Sequence, residues 1–277
     1  MMNTDKKYQY LKRLMKPYKK KNQQKFFITQ YLEADGHELE KKFWSDISSS
    51  RLAFELYSWL ANEDCIIDFE FEHKLTGLRG SKKQPNMDVF IETKDSYIFI
   101  ESKYTETSSP NIDGLSQSYY EYEGVNTKGE KIRSTLSERY YGLEDIAERI
   151  RSFVIDIKNR LDGSKNKSAC WMDYKQEITH LVGIILSLKK DHKYNRKDIK
   201  FYNIYYKQDV ETNDDIEYFF DKARNLLADV IGEEHNFVYE HKTVQEIMNV
   251  IKEKDPIAFG TTDRKVCDIL KEEFKLW

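Results

Sequence analysis

Two carboxylates and an amine crowd one short stretch: Asp88, then Glu101 after twelve intervening residues, then Lys103. Around them apolar and polar residues alternate, which predicts two strands, 87–92 and 97–104, about the turn Thr93, Lys94, Asp95, Ser96. A tight turn centred on Lys94 and Asp95 sets Glu92 opposite Tyr97 and Asp88 opposite Glu101. Opposed residues on one face lie about 4.5–5.5 Å apart at Cβ. Lys103 projects from the same face, about 6.7 Å further along. Like charges directly opposed destabilise a sheet, so the pattern calls for a counter-ion. A divalent cation supplies one, because Mg2+ takes carboxylate oxygens and keeps waters for chemistry. A lysine beside it can orient or deprotonate an attacking water and offset charge developing on a phosphate. The competing reading is a solvated edge hairpin with Lys103 as a salt-bridge partner.

The surrounding elements must hold these groups in place. Ser48, Ser49 and Ser50 offer N-caps for a helix reaching about residue 62, with Leu52, Leu56, Trp59 and Leu60 at helical spacing. Glu55 lies within that apolar stripe, where a carboxylate is costly to bury unless paired or coordinated. Arg51, four residues earlier, is its alternative surface partner. A strand over 65–72 follows, alternating Ile67, Phe69 and Phe71 with Asp68, Glu70 and Glu72. The loop from Thr76 to Pro85 carries Arg79, Lys82 and Lys83, which read either as phosphate contacts or as solvated charge. Residues 105–140 are polar and tyrosine-rich, with no clear period. Helices are expected over 143–161, 171–188 and 214–231, the second apolar enough at Leu181–Leu186 for a buried crossover. Strands are expected over 201–207 and 236–240. Helices over 5–33, 38–46, 244–254 and 262–274 complete the chain. This order predicts an α/β fold around one mixed sheet. It divides into a basic N-terminal helical extension (1–47), a core (48–207) and a C-terminal α/β extension packed on it (208–277).

Composition narrows the class. Only 11 glycines and 4 prolines among 277 residues argue against an all-β sandwich and long flexible linkers. Cys65, Cys170 and Cys267 form no C-x-x-C pair, which excludes a disulfide framework and suits a reducing cytoplasm. The apolar run 181–186 is too short to span a bilayer, and no apolar leader follows the N-terminal lysines, so no membrane partner is expected. None of the six histidines has H-E-x-x-H spacing. Residues 1–25 hold nine basic groups against Asp5 alone, a local +8 in a chain of net −3. Such an arm suits phosphate contacts or a solvated helical face.

Asp88 with Glu101, Ser102 and Lys103 resembles the motif of the PD-(D/E)xK nuclease superfamily, the restriction-endonuclease-like fold. The first half stands here as Pro85, Asn86, Met87, Asp88, with the acid retained and the proline displaced. The run IFIESKYTE from Ile98 to Glu106 resembles an E-x-K-Y-x-E segment of bacterial members. SSSRLAFEL from Ser48 is similar to their opening helix, and Gln176 with Thr179, His180 and Leu181 to a later glutamine-bearing helix. The resemblance covers about residues 48–207. It implies a central mixed sheet flanked by helices, with helical additions at both ends. It implies Mg2+ (with Mn2+ able to substitute) on Asp88, Glu101 and the Ser102 carbonyl. Lys103 would handle the water and Glu55 would assist the metal. Apart from the resemblance, Glu70 and Glu72 share the acidic face of their strand and read either as support behind the ligands or as exposed charge, and Gln176 reads either as such support or as a polar spot on a buried helix. The activity implied is hydrolysis of double-stranded DNA in restriction or phage defence, and a homodimer would supply the two sites that cutting a duplex needs. A silent nucleic-acid-binding module and a nuclease for RNA or single strands are the alternatives.

Overall fold

The computed structural model describes residues 30–31, 49–57, 66–81, 83–103, 108, 110–122, 134–164, 170–190, 194, 197–205, 214–232 and 235–246. The basic arm, the helices expected over 38–46 and 262–274, and Lys82 therefore lie outside the described residues. Five strands form one sheet in chain order: β1 (Ile66–Lys74), β2 (Asn86–Thr93), β3 (Ser96–Lys103), β4 (Asp198–Tyr205) and β5 (Phe237–Thr243). The first three run antiparallel, and β4 and β5 continue parallel to β3. The sheet is mixed and the class is α/β.

The hairpin has the register expected from its turn: Val89 pairs Ile100, Phe90 pairs Phe99, Ile91 pairs Ile98 and Glu92 pairs Tyr97. The Thr93 hydroxyl closes the turn, its oxygen accepting from the amides of Ser96 (2.9 Å) and Asp95 (3.3 Å). Alternation then sends Phe90, Tyr97 and Phe99 into the large core. Val89, Ile91, Ile98 and Ile100 turn to the opposite face, where helix α1 (Ser49–Tyr57) packs on β2 and β3. The buried face of α1 departs from the expected stripe. Ala53, Phe54 and Tyr57 are buried, whereas Leu52 and Leu56 are half-buried. Aromatic area decides this, since the Phe54 ring sits 5.5 Å from Phe71 and 6.3 Å from Tyr31. Trp59 and Leu60 lie outside the described residues.

Within the expected irregular region 105–140, the described residues 108, 110–122 and 134–140 are held by tertiary bonds rather than by a regular period. A 3-10 turn (Gln117–Tyr119) and the short helix α2 (Leu136–Arg139) are tied together there. The Arg139 guanidinium donates to the carbonyls of Ser134 and Glu121, and the Tyr140 hydroxyl donates to Tyr119. Helices α3 (Glu144–Gly163), α4 (Tyr174–Lys190) and α5 (Asp214–Ile231) cover the large-core face. Their apolar positions match the expected periodicities. Helix α4 is buried along nearly its whole length, as a crossover into a parallel strand requires. Among the described residues no helix is long and apolar enough to cross a membrane.

Gly183 lets the β1–β2 loop press against α4. A Cβ at this position would lie 2.9 Å from Leu75 Cβ and 3.3 Å from Pro85. In an open helix Gly→Ala gains about 1 kcal/mol. Here overpacking should win, and Gly183→Ala should lose about 1–3 kcal/mol in urea unfolding. Gly163→Ala, whose Cβ meets nothing within 4 Å, is the control and should lose none. A Gly183→Ala midpoint at or above wild type would mean that the loop is not seated on α4.

Candidate active site

The strand pairing aligns three carboxylates across three strands. Phe71 pairs Val89 and His73 pairs Met87, which sets Glu72 level with Asp88. The β2–β3 register, continued one step beyond Val89–Ile100, sets Asp88 level with Glu101. Glu72 has φ of 52°, a left-handed conformation that non-glycine residues adopt at a cost. The kink interrupts the alternation of β1, so Glu70 and Glu72 do not form one acidic face. His73 instead turns to the side of Glu70, where its Nδ1 lies 2.5 Å from Glu70 Oε2 and its ring stacks on Phe90.

Glu101 is only 2 % exposed, in the central strand of the sheet. A lone ionised carboxylate there would be prohibitively costly. Its Oε1 accepts from Gln176 Nε2 at 2.7 Å and from Lys103 Nζ at 2.8 Å. Lys103 Nζ also donates to Gln176 Oε1, so one α4 side chain bridges both. Oε2 has no hydrogen-bond partner and faces His180 Nδ1 at 3.5 Å. Asp88 turns Oδ2 to the Ser102 amide, which donates at 2.6 Å. Removal from water, then Glu101 and Glu72, push the Asp88 carboxyl well above its ordinary range, against Lys103 and the Ser102 amide. Burial alone would discharge Lys103. The facing carboxylates of Glu101 and Asp88 outweigh it and raise the amine above its ordinary value, so the group is an ammonium.

The expected residues do not all meet. Asp88, Glu101, Ser102, Lys103 and Gln176 converge, and Glu72 acts on Asp88 electrostatically. Arg79 and Lys83 are exposed in the loop that leaves the carboxylate end of β1 and β2. Glu55 sits on α1, with its side chain outside the described residues. From α1 the structure instead brings Tyr57, fully buried in the neighbourhood of Asp88 and Ser102. Four further residues join from elsewhere. His180 stands one turn beyond Gln176 on α4. Glu177, 1 % exposed, accepts at Oε2 from Asn203 Nδ2 (3.0 Å) and the Tyr239 hydroxyl (2.9 Å). The spacing of Gln176 and His180 was the available signal for His180. Asn203 and Tyr239 become visible only once β4 and β5 are paired to β3.

Among the described residues no three His, Cys, Asp or Glu side chains form a ready-made metal cage. The donor set nevertheless fits a cation of the Mg2+ kind. Such ions take one or two carboxylates and leave other positions to waters and phosphates. The unpartnered Glu101 Oε2 and the electrostatically strained Asp88 are what a cation would relieve.

A family model described as restriction endonuclease associating with ARP matches residues 38–265. No curated protein and no solved structure matches the chain.

Glu177 generates a test. Burial, then the nearby Glu101, raise its carboxyl from the ordinary 4.5 to about 8, against Lys103 and its two donors. Between those values the folded chain keeps a proton that the unfolded chain has lost. Its stabilising contribution is therefore complete below about pH 4.5 and lost as pH climbs through 8. Glu177→Gln keeps an acceptor for both donors and removes this titration. Urea stability measured in EDTA from pH 6 to 9 should fall less steeply in the variant, by at most about 1.4 kcal/mol per pH unit. Parallel slopes would mean that Glu177 is ionised in the fold.

Proposed function

The chain belongs to the REase-ARP family of restriction endonucleases, and from that premise and its carboxylate–lysine cluster we propose that it is a metal-dependent endonuclease of the PD-(D/E)xK type acting on double-stranded DNA. The observation that carries the reading is Glu101: one oxygen is tied to Lys103 and Gln176, and the other is buried and unused beside Asp88. Asp88, Glu101 and the Ser102 carbonyl would hold the cation. When bound, it supplies Lewis acidity toward a phosphoryl oxygen.

The chain's own groups do the rest. Lys103 enters as an ammonium, which makes it a donor that orients the attacking water and offsets charge growing on the phosphate. Gln176 keeps Nζ beside Glu101, so the donor is in place before substrate arrives. Arg79 and Lys83 on the adjoining loop, with Lys82 between them, are suited to the flanking phosphates. The retention of Asp88, Glu101 and Lys103 distinguishes this reading from a silent binding module. Restriction of foreign DNA is the proposed setting, and the association with ARP in the family description is part of the proposal.

Supercoiled plasmid with Mg2+ should be nicked and linearised, and EDTA should stop the reaction. Glu101→Ala and Lys103→Ala should each lose about 100-fold or more in rate, while DNA affinity in EDTA stays within a few fold. Wild-type cleavage by Glu101→Ala would overturn the assignment. Cleavage confined to RNA or single-stranded DNA would replace the duplex substrate.

A further inference from the structure

Two basic stretches far apart in the chain meet at one face of α4. Residues 76–85 hold Arg79, Lys82 and Lys83 with no acid, and residues 189–196 hold Lys189, Lys190, Lys193 and Arg196 against Asp191 alone. Loop–helix packing joins them. The Thr76 amide donates to Ser187 Oγ at 2.9 Å. The Tyr141 hydroxyl donates to the Gly77 carbonyl at 2.9 Å, and Lys190 Nζ stands 3.2 Å from the centre of the Tyr141 ring. The Arg79 amide donates to the Arg139 carbonyl at 2.9 Å. The β1–β2 loop is thereby pinned to the last turn of α4 and to the end of α2, with Arg79, Lys83, Lys189 and Lys190 all exposed. The acid acting on Arg79 is Glu138, and it is engaged with Thr135 in the capping box of α2.

Helix α4 ties this cluster to the active site. At about 100° per residue, Gln176, Thr179, Gly183, Ser187 and Lys190 fall within about 80° of one another around the helix. Gln176 binds Glu101 and Lys103, Gly183 seats the loop, and Lys190 ends the stripe. The rise from Gln176 to Lys190 is about 21 Å, which is about six base pairs of duplex at 3.4 Å each. A straight duplex that reaches the site can therefore lie along the stripe and meet both basic stretches. Lysines in a last helical turn also offset the helix dipole. That effect ends within one turn and does not account for an acid-free basic loop seated beside them.

We propose that the β1–β2 loop and the end of α4 form one rail, which grips the phosphate backbone of the substrate duplex on one side of the scissile bond through Arg79, Lys83, Lys189 and Lys190. The proposal rests on the nuclease reading above and extends its substrate contact from the loop to the far end of α4. Such contacts fix the position of the duplex and carry no sequence information.

The test measures binding of the full chain in EDTA to a duplex of about 30 base pairs, from about 0.05 to about 0.3 M salt. Lys189→Gln combined with Lys190→Gln should lower the log–log salt slope by about 1.8 and weaken binding at least about tenfold near 0.15 M salt. Lys189→Arg combined with Lys190→Arg should keep both at wild type. Lys94→Gln combined with Arg149→Gln removes the same charge from exposed positions at the hairpin turn and on α3, and should leave the slope unchanged. An unchanged slope in the glutamine pair, or an equal fall in the control pair, overturns the rail while leaving metal-dependent cleavage intact. Weaker binding of the glutamine pair to anionic lipid vesicles, with duplex binding intact, would assign the patch to a membrane surface and overturn it as well. A wild-type chain that neither binds nor cuts duplex overturns both readings.

Discussion

A carboxylate buried in the middle of a sheet must be compensated on every side, and Glu101 is compensated on only one of its oxygens. Much of the architecture around it is arranged for that half. β3 is buried along its length because helices cover both of its faces, which takes Glu101 out of water. α4 lies against the same face and delivers Gln176 to bind Glu101 and Lys103 together. The first turn of α4 is fixed in turn by Glu177, which reaches across to β4 and β5. Gly183 permits the β1–β2 loop to close over the helix two turns later.

Asp88 and Glu72 intensify the constraint. Asp88 feels the charge of both Glu101 and Glu72, with the Lys103 ammonium opposing them, and the backbone kink at Glu72 is a departure from regular strand geometry. Structural salt bridges do not require this excess of negative charge. A buried ion pair satisfied on both partners would hold the strands as well, without crowding further carboxylates beside it. Acids gathered beyond what folding needs mark a candidate functional site, and the proposed cation is what would offset them. The charge state of Lys103 also selects its role, since an ammonium can donate and stabilise but cannot accept a proton.

The hairpin was legible in the sequence because two local signals agreed. Period-two alternation assigned the faces, and the short turn at Lys94 and Asp95 set the register, which together placed Asp88 opposite Glu101. The order of helices and strands likewise gave the mixed sheet. What escaped depends on contacts between distant segments. Asn203 and Tyr239 become neighbours of the site only through parallel pairing of β4 and β5, which no local pattern encodes. The buried face of α1 turned on aromatic packing against Phe71 and Tyr31 rather than on the spacing of its leucines. The left-handed residue at Glu72 has no local sequence signal, because its strain is tolerated by tertiary packing.

The central claim is that carboxylate crowding destabilises the metal-free fold and that a bound cation reverses the effect. Thermal melting of wild type and Asp88→Asn near pH 8, first in EDTA and then in millimolar Mg2+ or Mn2+, tests it directly. Asparagine can still accept from the Ser102 amide, so the substitution chiefly removes charge. The account predicts a crossover: the variant melts at or above wild type in EDTA, and wild type melts above the variant once the metal is added, through ligand linkage. A variant that melts well below wild type in EDTA, with no metal-dependent gain in either protein, would contradict it and make Asp88 a structural acceptor.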